Sequence, residues 1–285
     1  MNRDGSAIAK IAGLLKNSKS ILFITGAGIS ADSGLPTYRG VGGLYNDKAT
    51  EEGISVEMAL AGETLREHPE VTWKYLLQIE RNCRRATFNR GHKVIAEMER
   101  HFERVWVLTQ NIDGLHRTAG SRNIIDIHGD MHSLICPSCG WHDSLEDYSN
   151  LDILPPHCPQ CRGVVRPDVV FFGEMLPQEK LTVLMRQLRE GFDIYFSIGT
   201  SSVFPYISQP IIAAAHLGRP TVEINPGSSD VSDIVSIKLS MGAAEALDLI
   251  WEDYNKGGGN GKQSHRGWER DSLGHRHTAP SGSGF

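Results

Sequence analysis

The run Ile21-Leu22-Phe23-Ile24-Thr25-Gly26-Ala27-Gly28-Ile29-Ser30-Ala31 decides the fold class of this 285-residue chain. Four consecutive apolar residues with no polar alternation suit a strand buried on both faces, as in a parallel sheet. The pattern Gly26-x-Gly28-x-x-Ala31 follows at once, which is the context a dinucleotide fingerprint requires. The first glycine permits a tight turn, the second lets backbone N–H groups approach a pyrophosphate, and the small third residue lets helix pack on strand. Taken alone, the pattern fits equally a tight turn in any Rossmann-like sheet. The acidic ribose ligand expected about 20 residues later is replaced by Gly40-Val41-Gly42-Gly43. That argues against a standard dehydrogenase.

Outward from this run, short apolar stretches predict further strands at Val105–Thr109, Ile124–His128, Ile194–Ile198 and Thr221–Asn225. Helical spacing is read at residues 6–16, where Ile8, Ile11, Ala12 and Leu15 share a face, at Val71–Arg85 and at Tyr206–Leu217. Strands alternating with helices imply an α/β fold, a Rossmann-like parallel sheet with helices on both faces. Two segments break the alternation: 41–85 reads as a helical module, and 131–166 contains the Pro155-Pro156 break and four cysteines. Both are read as parts of a smaller lobe inserted into a large domain made of 6–40, 86–130 and 167–254.

The four cysteines form two pairs, Cys136-x2-Cys139 and Cys158-x2-Cys161, with eighteen residues between them. Two such pairs predict a tetrahedral four-thiolate zinc site. Four protein ligands leave no open position for water or substrate, so the expected metal is structural, one per chain. Only Cys83 remains outside the tetrad, which disfavours a disulfide framework and favours a reducing, cytoplasmic setting. No apolar run has the length of a membrane span, and no signal-peptide pattern opens the chain.

Net charge is −5, but residues 256–285 carry five Lys/Arg against two Asp/Glu, leaving about −8 for the remainder. An acidic body does not supply the basic face of a duplex-DNA reader, and sequence-specific nucleic-acid binding is not expected. Residues 255–285 are rich in Gly and Ser and poor in aliphatic side chains, so they are read as a disordered tail.

Seven segments, in order, resemble the sirtuin family of NAD-dependent protein deacylases: GAGISADSGLPTYRG at 26–40, QNIDGLH at 110–116, IHGD at 127–130, the cysteine tetrad, RPDVVFFGE at 166–174, IGTSSVFP at 198–205 and INPG at 224–227. The resemblance spans roughly residues 10–250. It implies NAD as co-substrate and acyl-lysine proteins or peptides as substrates. It places Gly26, Ala27, Gly28, Ile29 and Arg39 in the loop around the NAD phosphates, with Tyr38 as the aromatic shield of the reacting ribose. Gln110, Asn111, Ile112 and Asp113 would border the nicotinamide, with Asp113 accepting from its carboxamide. Gly199, Thr200, Ser201 and Ser202, with Asn225, Pro226 and Gly227, would contact the adenosine ribose, and Ala243 would lie beside the adenine. Val169, Val170, Phe171, Phe172, Gly173 and Glu174 match the strand-like segment that pairs with the substrate backbone, a mode that tolerates many side-chain sequences.

His128 ends a predicted strand before Gly129, where open α/β sheets hold their ligands. The resemblance makes it the general base, a role suited to imidazole, with Asn111 its companion in catalysis. The implied reaction begins with attack of the acyl-lysine amide oxygen on the nicotinamide ribose. His128 then helps the 2′-hydroxyl take the acyl group, yielding nicotinamide, O-acyl-ADP-ribose and free lysine. His116 reads as a packing or hydrogen-bonding residue.

The chain looks closest to the branch that includes desuccinylases and related bacterial deacetylases. Members that remove acidic acyl groups carry a Tyr and an Arg three residues apart on the following helix. With Trp73 as the anchor, Leu76 and Ile79 occupy those positions, and an i, i+3 pair shares one face. The expectation is acetyl or longer aliphatic acyl groups over succinyl. A different register would give recognition to Tyr75 or Arg81. Two rival functions remain at this point: an ADP-ribosyltransferase or NAD hydrolase on the same fold, and a non-catalytic zinc-ribbon binding module.

Overall fold

The computed structural model describes residues 3–37 and 50–256. Nine helices and nine strands are found among them: α1 (Arg3–Lys16), β1 (Ser20–Thr25), α2 (Val56–Ala59), α3 (Gly62–Glu67), α4 (Pro69–Cys83), α5 (Arg90–His101), β2 (Arg104–Thr109), α6 (Leu115–Ala119), β3 (Ile124–Asp126), β4 (Gly129–Ile135), β5 (His142–Ser144), β6 (Arg166–Val169), α7 (Gln178–Glu190), β7 (Ile194–Ile198), α8 (Pro205–His216), β8 (Thr221–Ile224), β9 (Ile237–Leu239) and α9 (Ala243–Lys256). Tyr38, Arg39, the Gly40–Gly43 run and all of the expected tail beyond Lys256 lie outside the described residues. Asn255 and Lys256, read as the start of that tail, instead close α9.

Six strands form a parallel sheet in the order β3-β2-β1-β7-β8-β9. The apolar run of β1 is central, and Ile21, Leu22, Phe23 and Ile24 are wholly buried. Successive side chains of a strand point to opposite faces, so β1 feeds two cores. Ile21 and Phe23 join the core that includes α1, α5 and α9, with Phe23 stacked on Phe196 at 4.9 Å between ring centroids. Leu22 and Ile24 join the core on the other face, with Leu184 of α7 and Ile207 and Ile211 of α8. A strand that feeds a core on either face has no polar positions to alternate, which is why this run is continuously apolar.

A second sheet, β5-β4-β6, is antiparallel. With α2, α3 and α4 it builds a separate core around Trp73, Tyr148, Leu76, Met131 and Phe171. Trp73 is fully buried and its indole N–H donates to the Val165 carbonyl at 3.0 Å. The Tyr148 hydroxyl donates to the Met131 carbonyl. The wholly buried Glu80 is held by Arg84, one helical turn on, through two bonds of 2.8 and 2.5 Å. Helix α4 is therefore tied to the cysteine-bearing segment by a shared core.

The sequence reading carried a strand through His128, whereas β3 stops at Asp126. Gly129 has φ +93°, and a Cβ there would lie 1.9 Å from the Asp168 carbonyl oxygen. The chain turns at that point out of the parallel sheet and into pairing with β6. His128 thus sits in the joint between the two sheets. Helices α5 and α9 and strand β9 were not anticipated by the pass along the sequence.

Replacing Trp73 by Ala removes both the largest side chain of the second core and the Val165 bond. Urea unfolding should show a loss of about 3–5 kcal/mol.

Candidate functional site

The site forms where the carboxyl ends of β1, β2 and β7 meet, at the position where the strand order reverses. The loops after β1 and β7 touch backbone to backbone. The Gly26 N–H donates to Ile198 O at 3.0 Å and the Gly28 N–H to Gly199 O at 2.8 Å. A Cβ at Gly28 would stand 2.5 Å from Gly199 Cα, and one at Gly26 would stand 2.8 Å from Thr200 Cβ. Gly199 itself has φ +57°, a conformation glycine adopts without steric cost. The glycines of the fingerprint are thus required by this contact.

The loop after β2 joins the same junction. Gln110 donates through Nε2 to Thr200 Oγ1 at 2.7 Å. Asn111, 6% exposed, donates through Nδ2 to Gly26 O at 3.1 Å and to Ser30 Oγ at 3.2 Å. Ser30 in turn donates to Asp113 Oδ2 at 2.7 Å, while Asp113 Oδ1 accepts the Leu115 N–H at 3.0 Å. Burial pushes the Asp113 carboxyl up from its ordinary value, opposed by these two bonds. The chain Asn111–Ser30–Asp113 lines, with Ala27, Ile112, Ile79 and Cys83, a small cleft. Asn89, the N-cap of α5, holds this loop from behind: its Oδ1 accepts from the Gly91 and His92 N–H groups, while its Nδ2 donates to Ile29 O at 2.7 Å and Ser33 Oγ at 3.0 Å.

On the opposite side, Asn225 donates through Nδ2 to Thr200 O at 3.1 Å and accepts the Gly227 N–H at 3.1 Å. Ser202, at φ +57°, turns its hydroxyl inward to Ser197 at 3.4 Å, whereas Ser201, Pro226 and Gly227 are exposed. Ala243 is buried at the start of α9, where the adjoining Ala244 N–H donates to Asp32 at 2.9 Å.

His128 is half-buried. Its Nδ1 lies 3.0 Å from Gln110 O and its Nε2 2.7 Å from the Tyr206 hydroxyl. Burial pushes the imidazole below its ordinary 6.5, opposed by the Gln110 carbonyl and reinforced by Lys180. His116, by contrast, is a wholly interior group: its Nε2 pairs with Thr25 Oγ1 at 2.9 Å, and burial keeps it neutral.

Next to His128 runs the segment 169–174, which bridges the two sheets. The Val170 N–H donates to His128 O at 2.8 Å, the Phe172 N–H to Leu60 O at 3.1 Å, and Phe172 O accepts the Gly62 N–H at 3.0 Å. Arg166 grips Glu174 through paired bonds of 2.6 and 2.7 Å, and Glu174 also accepts the Phe171 N–H at 3.0 Å. The Glu174 carboxylate is thus used within the segment, and Gly173 turns the chain at φ +81°. Leu76 and Ile79 are both buried in the second core, and Ile79 also borders the cleft.

The four cysteine sulfurs lie within 4.8 Å of one another. Cys136 and Cys161 are 3.4 Å apart and Cys139 and Cys158 3.6 Å; sulfurs bound tetrahedrally to one zinc at ~2.3 Å would be about 3.8 Å apart. Each pair spans a tight turn, with Gly140 at φ +76° and Arg162 at φ +66°, that brings both sulfurs to one side. The set fits a structural zinc ion, built into the second core through the buried Cys136 and Cys158.

Ser30, Asn89, Arg166 and Tyr206 were not singled out from the sequence. Asn89-x-x-His92 ahead of a helical stretch is a capping signature and could have flagged Asn89. Tyr206 follows a proline at the start of α8 and carries no comparable signal.

Two measurements test this description. Stripping zinc with a strong chelator should lower Tm and abolish turnover together, and added zinc should restore both, because the ion holds the lobe; loss of turnover at unchanged Tm would mark a reactive metal instead. In a pH–rate profile, kcat/KM should fall on the acid side with a midpoint below 6.5. The neutral imidazole is the basic form, so its depressed pKa extends activity to lower pH.

The sequence profile of the Sir2 family matches residues 26–205. NAD-dependent protein deacylase 2 of Pseudomonas aeruginosa is 48% identical over 248 residues, covering 86% of this chain and 95% of that protein. A point mutant of a Sir2 homologue, solved as an ADP-ribose complex, superposes with a TM-score of 0.80 at 34% identity, over 89% of this chain and 99% of the other. A Sir2 homologue–NAD complex gives 0.77 at 32% identity, over 90% and 96%. The six-stranded parallel sheet and the cysteine tetrad accord with these matches, and the chain belongs to the Sir2 family.

Proposed function

We propose that this chain is an NAD-dependent protein-lysine deacylase that transfers the acyl group of acyl-lysine to ADP-ribose and prefers acetyl or longer aliphatic groups over succinyl. The observation that carries this reading is the convergence of His128, the Asn111–Ser30–Asp113 chain and the bridging segment 169–174 on one junction. When bound, NAD supplies an electrophilic ribose carbon and a hydroxyl that accepts the acyl group.

The residues of the chain divide the remaining work. The glycine loop, with Tyr38 and Arg39, holds phosphates and ribose; Gln110, Asn111, Ile112 and Asp113 orient the carboxamide, with Asp113 as acceptor. Gly199 to Ser202, Asn225 to Gly227 and Ala243 take the adenosine end. The backbone groups of 169–174 that are not already bonded to His128, Leu60, Gly62, Arg166 or Glu174 would pair with an extended peptide. His128 takes the proton of the acyl-accepting hydroxyl. The segments 6–40, 86–130 and 167–254 serve as the NAD-binding part, and 41–85 with 131–166 as the substrate-side lobe. That only Cys83 stands outside the zinc set supports a reducing, cytoplasmic setting, and the acidic body supports a protein substrate over a nucleic acid. No described helix is long and apolar enough to cross a membrane.

The composition of α4 supports the acyl preference. Leu76 and Ile79 stand where a carboxylate partner would be needed and both are apolar, and a charged acyl group is costly to desolvate without one. Tyr75, the rival recogniser, has its hydroxyl engaged with Glu52, and Arg81 is exposed.

Matched acetyl-, butyryl- and succinyl-lysine peptides test the reading. Acetyl and butyryl peptides should turn over faster, with one O-acyl-ADP-ribose formed per lysine released; faster desuccinylation would refute the preference. His128→Ala should cut acyl transfer by about 10²- to 10⁴-fold. ADP-ribose appearing without acyl peptide would instead favour an NAD hydrolase.

A further inference from the structure

The hydrogen bonds around His128 fix its proton. Gln110 O can only accept, so Nδ1 carries the hydrogen, and the neutral ring presents its single lone pair at Nε2. That lone pair is already taken: the Tyr206 hydroxyl, 2.7 Å away, is the donor. A ribose hydroxyl that must give its proton to Nε2 therefore meets an occupied base.

The position of the phenol is held by packing. Tyr206 lies in the first turn of α8 after Pro205, its ring stacked on Phe204 at 5.4 Å and 11°, and both rings meet His128 edge-on at 5.9 and 6.1 Å. Among the described residues, the polar groups that face His128 are few. They are the Gln110 carbonyl from the end of β2, the Tyr206 hydroxyl from α8, and at longer range Lys180 of α7, itself bound to the Asp126 carbonyl at 2.8 Å and carboxylate at 2.9 Å. Of these, Tyr206 alone is placed to pass a proton to Nε2.

We infer that Tyr206 is a further catalytic residue of the acyl-transfer stage, standing between the ribose hydroxyl and His128 as a proton relay. This rests on the deacylase reading above. A phenol oxygen that donates its hydrogen keeps lone pairs for an incoming O–H. In the step, the ribose hydroxyl proton moves to Tyr206 Oη as the Tyr206 proton moves to His128 Nε2. The ribose oxygen forms its bond to the acyl carbon with the electron pair released, and the π pair between the acyl carbon and the lysine nitrogen moves onto that nitrogen, discharging its positive charge. Tyr206 ends neutral and His128 ends as imidazolium, so charge and protons balance with no added reactant. The earlier stage, attack by the amide oxygen with loss of nicotinamide, removes no proton and makes no use of the relay.

That difference supplies the test on the full-length zinc-loaded protein. Nicotinamide exchange with an acetyl-lysine peptide reports the first stage, and O-acetyl-ADP-ribose formation reports the second. Tyr206→Phe keeps the ring and its stacking and deletes only the hydroxyl. It should leave exchange within about twofold and slow acyl transfer by about 10- to 100-fold, a part of what a general base supplies. Acyl transfer that is unchanged or faster would overturn the relay, because the hydroxyl would then be a cap that moves aside. Equal loss in both stages would also overturn it, as a positional effect. His128→Ala run in parallel separates the two levels: full acyl transfer by that variant refutes the underlying reading whatever Tyr206→Phe does.

Discussion

The site depends on the approach of two backbones, the loop after β1 and the loop after β7, which touch at Gly28 and Gly199 with no room for a Cβ on either. Adjacent parallel strands lie about 4.8 Å apart, so their exit loops meet unless side chains separate them. Here nothing does. Closure of this gap aligns Gly26 O for Asn111 and Thr200 for Gln110 and Asn225. Three strand ends become one rigid surface on which side chains need few rotamers to point at a common ligand.

A second junction binds that surface to the cysteine-bearing lobe. The chain crosses between sheets at His128–Gly129 and again along 169–174, and the Val170–His128 bond joins the crossings. Whatever moves one lobe relative to the other is therefore felt at His128 itself. The Arg166–Glu174 grip, partly buried, stiffens the second crossing. It makes this polar pair a matter of geometry more than of net stability.

Much of this was legible in the residues. The unbroken apolar run of β1 followed by Gly26 and Gly28 announced the central strand and its loop, and the spacing of four cysteines announced a closed metal site. Strand ends were read less well. The strand expected through His128 ends two residues early because Gly129 must turn, and that requirement comes from β6, some forty residues away. Helices α5 and α9 escaped notice for a related reason: their apolar faces answer to a core assembled from six strands, not to a local pattern. Contacts such as Ser30 with Asp113 and Tyr206 with His128 join residues 83 and 78 positions apart. No local signal encodes them. Leu76 and Ile79 show the limit of helical spacing, since both pack in the second core and only Ile79 also borders the cleft.

Asn89 uses both halves of its amide, the oxygen on the first turn of α5 and the nitrogen on Ile29 O and Ser33. Ser, Asp and Asn are near-equal as helix caps, yet only Asn among them has an N–H₂ group to offer an outside carbonyl. Substitutions that helix chemistry treats as interchangeable are thus not interchangeable for the loop. An aspartate would set a negative oxygen against a carbonyl, and a serine would not reach. The vocabulary of acceptable residues at this position is narrowed by a partner sixty positions earlier in the chain, so that a helix terminus and the loop after β1 are obliged to vary together.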